Sequence, residues 1–425
     1  MDGMVKLPYG RGTVEAEIPQ HRLQAALVSQ MHAYRPEKTP SALVKDALEN
    51  PIGRKRLREL AAGGSNIVII ASDHTRPVPS KVIMPLILKE LRAGNERANI
   101  TILIATGCHR GTTKAELIEK FGKDIVRHER IVVHDCDDTA GLVKLGTLPS
   151  GGELIINRVA AQADLLLAEG FIEPHFFAGF SGSGKSVLPG IAGRQTVLMN
   201  HCAEFIAHKK AKTGVVAGNP IQEDIAWAAR KAKLAFIVNV IVNSEKEVVY
   251  AVAGDAIDAH KEGCRFLSAL CRVTGRPSDI VITTNGGYPL DQNIYQAVKG
   301  MTAAEAAIRK NGVIIMLARS EDGHGSENFY KAFKAGGDLD AMRRDILSRG
   351  RAQTLPDQWQ VQILIRVLQH AHVIYVSDAP PELVAEFRMI PAKSVGEALR
   401  IAEDILHDEN ASISVIPDGV SVIVD

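Results

Sequence analysis

A lysine flanked by two histidines offers nucleophile, base and metal-ligand chemistry within one short stretch: Lys185 follows His175 by ten residues and precedes His201 by sixteen. The segment around it, Gly179-Phe-Ser-Gly-Ser-Gly184-Lys185-Ser186, matches the G-x-x-x-x-G-K-[ST] pattern whose backbone N–H groups cradle nucleotide phosphates. Taken alone it says ATP or GTP. A phosphate loop also needs a strand leading into its first glycine and a sustained helix opening at the lysine, because the helix N-terminus supplies part of the phosphate field. Here Glu173-Pro174-His175 interrupts the upstream apolar run, and Pro189-Gly190 falls within five residues of Lys185, where it would break a helix. No apolar strand ends in an Asp of clear Walker-B character. A nucleotide-dependent phosphotransferase is therefore the minority reading, and a plain Gly/Ser loop with a solvated lysine competes with both.

Further polar residues sit where α/β proteins bind ligands. Asp73, Thr75 and Arg76 follow the apolar run Asn66–Ala71 and precede a helical stretch, a natural phosphate-binding edge: Arg76 can clamp oxygens, Thr75 can donate, and Asp73 can accept from a ribose or orient Arg76. A helix-cap turn with a solvated arginine accounts for these three about equally well. His109 follows Gly107-Cys108 at the end of another strand, the end at which open sheets bind ligands. Tyr295, Gln296 and Lys299 have i,i+3 and i,i+4 spacing, so one helix face could carry an amide, a hydroxyl and a charge for a carboxylate. The alternative is an ordinary surface helix. Trp359 is as a type more often core than ligand contact.

These residues must be positioned by an alternation of short Val/Ile-rich runs with longer amphipathic stretches, the pattern of strand, crossover helix and strand. Strands are expected at Asn66–Ala71, Ile100–Ala105, Arg130–Val133, Asp164–Ala168, Ala235–Val242, Asp279–Thr283, Val313–Leu317, Val373–Val376, Ser412–Ile416 and Val420–Val424. Helices are expected at Ser80–Leu91, after the Thr113/Glu116 capping box, over Asp291–Lys310 and across Glu327–His370. A Gly-Arg-Pro turn resets the chain near 273–277. The expectation is an α/β protein of two domains with mostly parallel sheets facing a central cleft: a cofactor-binding domain at 1–272, and a domain at 273–425 that closes over the substrate.

The 425 residues carry 50 Lys plus Arg against 49 Asp plus Glu, a net charge of +1 that argues against a broad basic surface for nucleic acid. No uncharged apolar run reaches the roughly 18 residues of a membrane span, and the first thirty residues do not read as a secretory signal. The five cysteines are dispersed and form no CxxC pair, which fits a reducing cytoplasm and no zinc knuckle.

Several separated motifs, taken together, resemble the nickel-pincer lactate racemase family. They are Asp73-His-Thr-Arg-Pro77, Ala105-Thr-Gly-Cys-His-Arg110, Glu173-Pro-His-Phe-Phe-Ala-Gly-Phe-Ser181, Lys185-Ser-Val-Leu-Pro-Gly190 and Met199-Asn-His201, with Tyr295-Gln-Ala-Val-Lys299 and Trp359 following in order. The resemblance implies racemisation or epimerisation of a 2-hydroxy acid, lactate by default, through proton-coupled hydride transfer and a ketoacid. It implies a nickel cofactor, pyridinium-3,5-bisthiocarboxylic acid mononucleotide, attached covalently to Lys185 and contacted by Asp73, Thr75 and Arg76, with His201 as the protein's nickel ligand. It makes His109 and His175 the two bases, one per enantiomer, and Tyr295, Gln296, Lys299 and Trp359 the substrate contacts. The implied partners are the 2-hydroxy acid and the proteins that make the cofactor and insert nickel, with neither nucleic acid nor membrane. A non-catalytic nickel- or nucleotide-binding protein is the remaining alternative. Ser183-Gly184, directly before Lys185, departs from the family pattern and creates the phosphate-loop look.

Overall fold

An uncharged run of β-branched residues suits the centre of a sheet covered on both faces, and Asn66–Ser72 is such a run: Ile67 through Ala71 are all fully buried. The structure is a computed structural model that describes residues 3–425. Asn66–Ser72 lies parallel to Asn99–Ala105 on one side and to Leu165–Phe171 on the other. Arg130–Val133 and Leu234–Val242 extend the sheet outward, also parallel, and Val248–Gly254 closes one edge antiparallel. The chain winds out from Asn66–Ser72 in one direction, returns, and winds out in the other. This puts a topological switch between Asn66–Ser72 and Leu165–Phe171, where open α/β sheets bind their ligands. The helices Pro40–Glu49 and Ser80–Gly94 cover one face, setting Val44, Leu48, Ile83 and Ile87 into one core with Ile67, Ile69 and Leu167.

A second six-stranded sheet has the order Ile390–Ala392, His372–Val376, Ile308–Leu317, Ser278–Thr284, Ile413–Ile416, Leu23–Ala26, parallel throughout. Every residue of its central strand Ser278–Thr284 is buried. Its core joins Ile280, Ile282 and Ile315 to Val395, Ala398 and Ala402 of the helix Val395–Leu406. The expected α/β class with mostly parallel sheets is the class observed. Among the described residues no helix is long and apolar enough to cross a membrane.

Two compact units result, one of Met31–His201 with His208–Ala269, the other of the chain up to Gln30 with Cys202–Ala207 and Leu270–Asp425. This corrects the expectation that residues 1–272 form one domain. Leu23–Ala26 pairs with Ile413–Ile416, and Leu7 and Ala16 from the hairpin of Met4–Tyr9 and Gly12–Glu17, with Ile18 just after it, belong to the core of the second sheet. Two element limits also move. The helix expected over Asp291–Lys310 begins at Ile294, capped by the Asn293 side chain, and ends at Ala307 because the strand Ile308–Leu317 begins there. The last expected strand shortens to Ile423–Val424, since Asp418 folds the residues before it into a turn.

Candidate active site

Three neighbouring strands of the first sheet, Leu165–Phe171, Asn66–Ser72 and Asn99–Ala105, lead into segments that carry six of the expected site residues, Asp73, Thr75, Arg76, His109, His175 and Lys185. After Asn66–Ser72, Asp73 is almost wholly buried. Its Oδ1 accepts from Thr75 Oγ1 at 2.7 Å and Thr75 N at 3.2 Å, and its Oδ2 pairs with His109 Nδ1 at 2.8 Å. Burial would push this carboxyl up, but the His109 hydrogen bond and charge, Thr75 and the nearby Arg76 together hold it below the ordinary carboxylate range. An ionised carboxylate can only accept, so His109 Nδ1 is the donor, and in the neutral ring Nε2 then carries the lone pair, the form of a general base. Both Asp73 oxygens are thus spent on Thr75 and His109. Thr75 and Arg76 are exposed at the strand edge.

His109 is held from behind. Its own N–H donates to Thr106 O at 2.9 Å, Thr106 Oγ1 donates to His134 O at 2.7 Å, and Gly107 N–H donates to Gly190 O at 2.9 Å. This last bond ties the His109 loop to the segment that follows Lys185.

After Leu165–Phe171 the chain makes a two-residue hairpin, Pro174–His175 against Gly179–Phe180. Gly179 has φ +80°, and a Cβ there would meet Val215 O at 2.2 Å, so only glycine fits. His175 Nδ1 accepts from Ala178 N–H at 3.2 Å. A backbone N–H only donates, so the neutral ring carries its hydrogen on Nε2, the opposite tautomer to His109. The ring stacks on Phe176 and meets the edge of Phe177, with centroids 5.1 and 4.5 Å away.

Lys185 sits in a single 3-10 turn, Ser183–Ser186. The amides of this loop are consumed internally: Ser183 N–H by Asn239 Oδ1 at 2.8 Å, Lys185 N–H by Gly182 O at 3.1 Å, and Val187 and Leu188 N–H by Gly184 O at 2.9 and 3.0 Å. A phosphate loop presents these groups to its ligand, and the next α-helix begins only at Arg194. The geometry therefore rejects the phosphate-loop reading. Lys185 Nζ lies 5.8 Å from the centre of the Phe177 ring, and the same ring meets His201 edge-on at 5.2 Å. Phe177, itself buried, is thus a common neighbour of His175, Lys185 and His201. The sequence reading missed it, although its place inside a Phe-Phe pair two residues after His175 was a signal.

His201 caps the helix Arg194–Asn200 and is buried. Its Nδ1 is 3.1 Å from Val197 O, so Nδ1–H donates and Nε2 holds the lone pair. A metal-binding imidazole commonly has this orientation. Burial first, then the charge of Lys185, push its pKa down to about 3 against the opposing pull of Val197 O, so the ring is neutral and fit to ligate. Among the described residues the one cluster of three close metal-binding side chains is Asp135, Cys136 and Asp137, elsewhere. A metal on His201 would need donors supplied by a cofactor.

The depressed value has a stability consequence for the metal-free protein. Unfolded His201 titrates near its ordinary 6.5, so between pH 6.5 and about 3 the unfolded chain binds a proton that the folded chain refuses. Stability should fall with acidification across that window, by about 1.4 kcal/mol per pH unit for a fully titrating group. Buried His134 and His260 shift in the same direction. Urea denaturation at pH 7 and pH 5 will measure the loss, and His201→Asn should make it shallower.

In the second unit, the helix Ile294–Ala307 sets Tyr295, Gln296 and Lys299 half-buried. Tyr295 OH donates to Asp357 Oδ1 at 3.0 Å, and Gln360 Nε2 donates to Tyr295 O at 2.5 Å. Gln296 Oε1 is buried and has no hydrogen-bond partner. Trp359 occupies the first turn of Gln358–His370, directly after Asp357, whose backbone is left-handed at φ 62° and whose Oδ2 accepts from Ser326 Oγ at 2.6 Å. Asp357 joins Tyr295 to the start of the helix that carries Trp359. Sequence reasoning did not single it out.

Comparison with known proteins bears on this arrangement. The family model of the lactate racemase N-terminal domain matches residues 9–214, and that of the lactate racemase C-terminal domain matches residues 273–424. The chain belongs to the lactate racemase family. It is accordingly an enzyme, an isomerase of the racemase type. Within the family, the lactate racemase of Thermoanaerobacterium thermosaccharolyticum is 55% identical over 421 residues, and that of Lactiplantibacillus plantarum is 50% identical over 421, each match covering 99% of both chains. The solved structure of the T. thermosaccharolyticum lactate racemase apoprotein superposes with a TM-score of 0.96 at 55% identity, covering 99% of this chain and 100% of that one. A Thermotoga maritima protein at 20% identity and a TM-score of 0.63, covering 91% of this chain and 97% of its own, shares the fold.

Proposed function

We propose that the chain interconverts the enantiomers of lactate, or of a closely related 2-hydroxy acid, using a nickel-pincer nucleotide attached to Lys185 and ligated by His201. The observation that carries this reading is a pair of imidazoles in opposite tautomers, His109 and His175, presented beyond strand ends of one sheet, with Lys185 and His201 gathered at Phe177. When bound, the cofactor would supply the hydride acceptor, and the neutral His201 imidazole would ligate its Ni(II).

The chain's own residues do the proton work. His109 Nε2 takes the hydroxyl proton of one enantiomer as the carbon–hydrogen bond breaks, and Asp73 holds the ring and stabilises the imidazolium. His175 serves the opposite face. In the tautomer observed its Nε2–H donates a hydrogen bond to the ketoacid oxygen, and to take the hydroxyl proton of the opposite enantiomer the ring must release Ala178 N–H and carry its hydrogen on Nδ1, so that Nε2 holds the lone pair. Thr75 steadies Asp73, and Arg76 is the cation available for a phosphate at the strand edge. Lys299 pairs with the substrate carboxylate, Gln296 has an unspent buried amide oxygen to offer a ligand, and Tyr295 and Trp359 are walls.

The five cysteines are free thiols, in keeping with a reducing cytoplasm as the proposed location. Proteins that build the cofactor and insert nickel are the proposed partners. Intact-mass analysis after expression with those partners tests the reading. The expected result is an adduct localised to Lys185, stoichiometric nickel, and loss of optical activity from either pure lactate enantiomer. A fully matured preparation with unmodified Lys185 contradicts the tether, and unchanged lactate contradicts the substrate.

A further inference from the structure

Cys108 and Cys136 have no part in the reaction described above. Cys108 lies in the turn after Asn99–Ala105, immediately before His109. Cys136 follows the adjacent parallel strand Arg130–Val133, in which Val133 stands opposite Ile104. Beyond the strand ends the pairing continues, His134 N–H donating to Ile104 O at 3.1 Å and Thr106 Oγ1 to His134 O at 2.7 Å. The two loops therefore leave the sheet side by side and bring the thiols of Cys108 and Cys136 next to one another. Arg194 stands over the pair: its N–H donates to Cys136 O at 3.1 Å and its guanidinium grips Asp137 at 2.8 and 2.6 Å.

We propose that Cys108 and Cys136 are a modification site, a thiol pair that a hydroperoxide converts to a disulfide, drawing the adjacent His109 away from Asp73. The two sulfurs are unequal. The neighbouring Cys108 and, against the cost of burial, the Arg194 charge pull the Cys136 thiol down, whereas the neighbouring Cys136 and burial push Cys108 up. Cys136 thiolate attacks the peroxide oxygen, breaking the O–O bond to give Cys136 sulfenic acid and an alkoxide that takes a proton from water. The Cys108 sulfur then displaces hydroxide from the sulfenic sulfur, and its own proton leaves with that hydroxide as water. Two thiols are oxidised by two electrons and one peroxide is reduced to alcohol and water. Cys264 is no more buried than Cys136, but neither it nor Cys271 has an arginine charge acting on it, and burial pushes both up to about 12. A metal at Asp135, Cys136 and Asp137 is disfavoured because Arg194 already holds the Asp137 carboxylate.

A disulfide needs its sulfurs about 2.05 Å apart, far closer than two unbonded thiols can stand, so closure must move the Cys108 turn. Misplacing a catalytic group by about 1 Å can cost roughly 100-fold in rate. This second step rests on the proposed role of His109, whereas the cross-link does not. The test therefore begins with the full chain lacking cofactor, treated with tert-butyl hydroperoxide. Titratable thiols should fall from five to three, the mass should drop by two hydrogens, and peptide mapping should join Cys108 to Cys136. Cys136→Ser should abolish the cross-link, and Cys108→Ser should leave an oxygen adduct on Cys136. Five persisting thiols, or a cross-link through another cysteine, overturns the site. The loaded enzyme should lose 10- to 100-fold in activity, recover with dithiothreitol, and be insensitive as Cys136→Ser. A cross-linked enzyme of full activity overturns the displacement of His109.

Discussion

Lys185→Ala should yield a folded protein that carries no cofactor adduct and racemises lactate at least roughly 10³-fold more slowly, a loss of about 4 kcal/mol or more of transition-state stabilisation. The fold should survive because the 3-10 turn at Ser183–Ser186 is fixed by backbone bonds and by Asn239. Lys185→Arg is the sharper variant. It keeps a cation beside Phe177, so the charge is preserved, but a guanidinium is a poor nucleophile and cannot make the covalent link. If the Lys185→Arg enzyme turned over normally, the lysine would be acting through charge alone. Mass analysis and nickel content, measured with chiral chromatography of lactate, separate loss of attachment from loss of chemistry.

His109→Ala and His175→Ala should each lower kcat by roughly 10²- to 10⁴-fold, the usual worth of a positioned general acid or base, while leaving nickel content unchanged. The two variants should differ in one respect. His109 is backed by a buried carboxylate that fixes its tautomer, so Asp73→Asn should reproduce much of the His109→Ala defect by letting the ring reorient. His175 takes its tautomer from the Ala178 backbone N–H, which no side-chain substitution removes directly. Retention of full activity by either alanine variant would end the two-base assignment. An Asp73→Asn enzyme of normal kcat but weakened cofactor retention would instead return Asp73 to accepting from the ribose or orienting Arg76.

The strand Asn66–Ser72 was legible in the sequence because both its faces are buried, which leaves an uninterrupted apolar run. The Thr113/Glu116 box was legible because it is a local bargain between neighbours, and it forms as expected. His109, His175, Lys185 and His201 could be named from motifs, but their protonation patterns could not. Those depend on single partners, Asp73, Ala178 N–H and Val197 O, whose positions follow from backbone geometry. Phe177 was passed over because an aromatic residue beside another normally signals core, and here it is core that also borders three polar side chains. Pairing of Leu23–Ala26 with Ile413–Ile416 was invisible for a different reason. Four residues of weak alternation carry no mark of a partner so distant in the chain.

That distant pairing bears on how the protein is born. Leu23 stands opposite Ile413, and at synthesis rates of about 5–20 residues per second the edge strand waits roughly 20–80 s on the ribosome for its neighbour to be made. Through that interval the first unit can complete its own sheet, whose last strand ends at Gly254, while Leu7, Ile18 and Leu23 remain without the core that later covers them. Vectorial folding can thus finish the middle of the polypeptide first, leaving the hairpin of Met4–Tyr9 and Gly12–Glu17 with only its own pairing until Ile413–Ile416 is made.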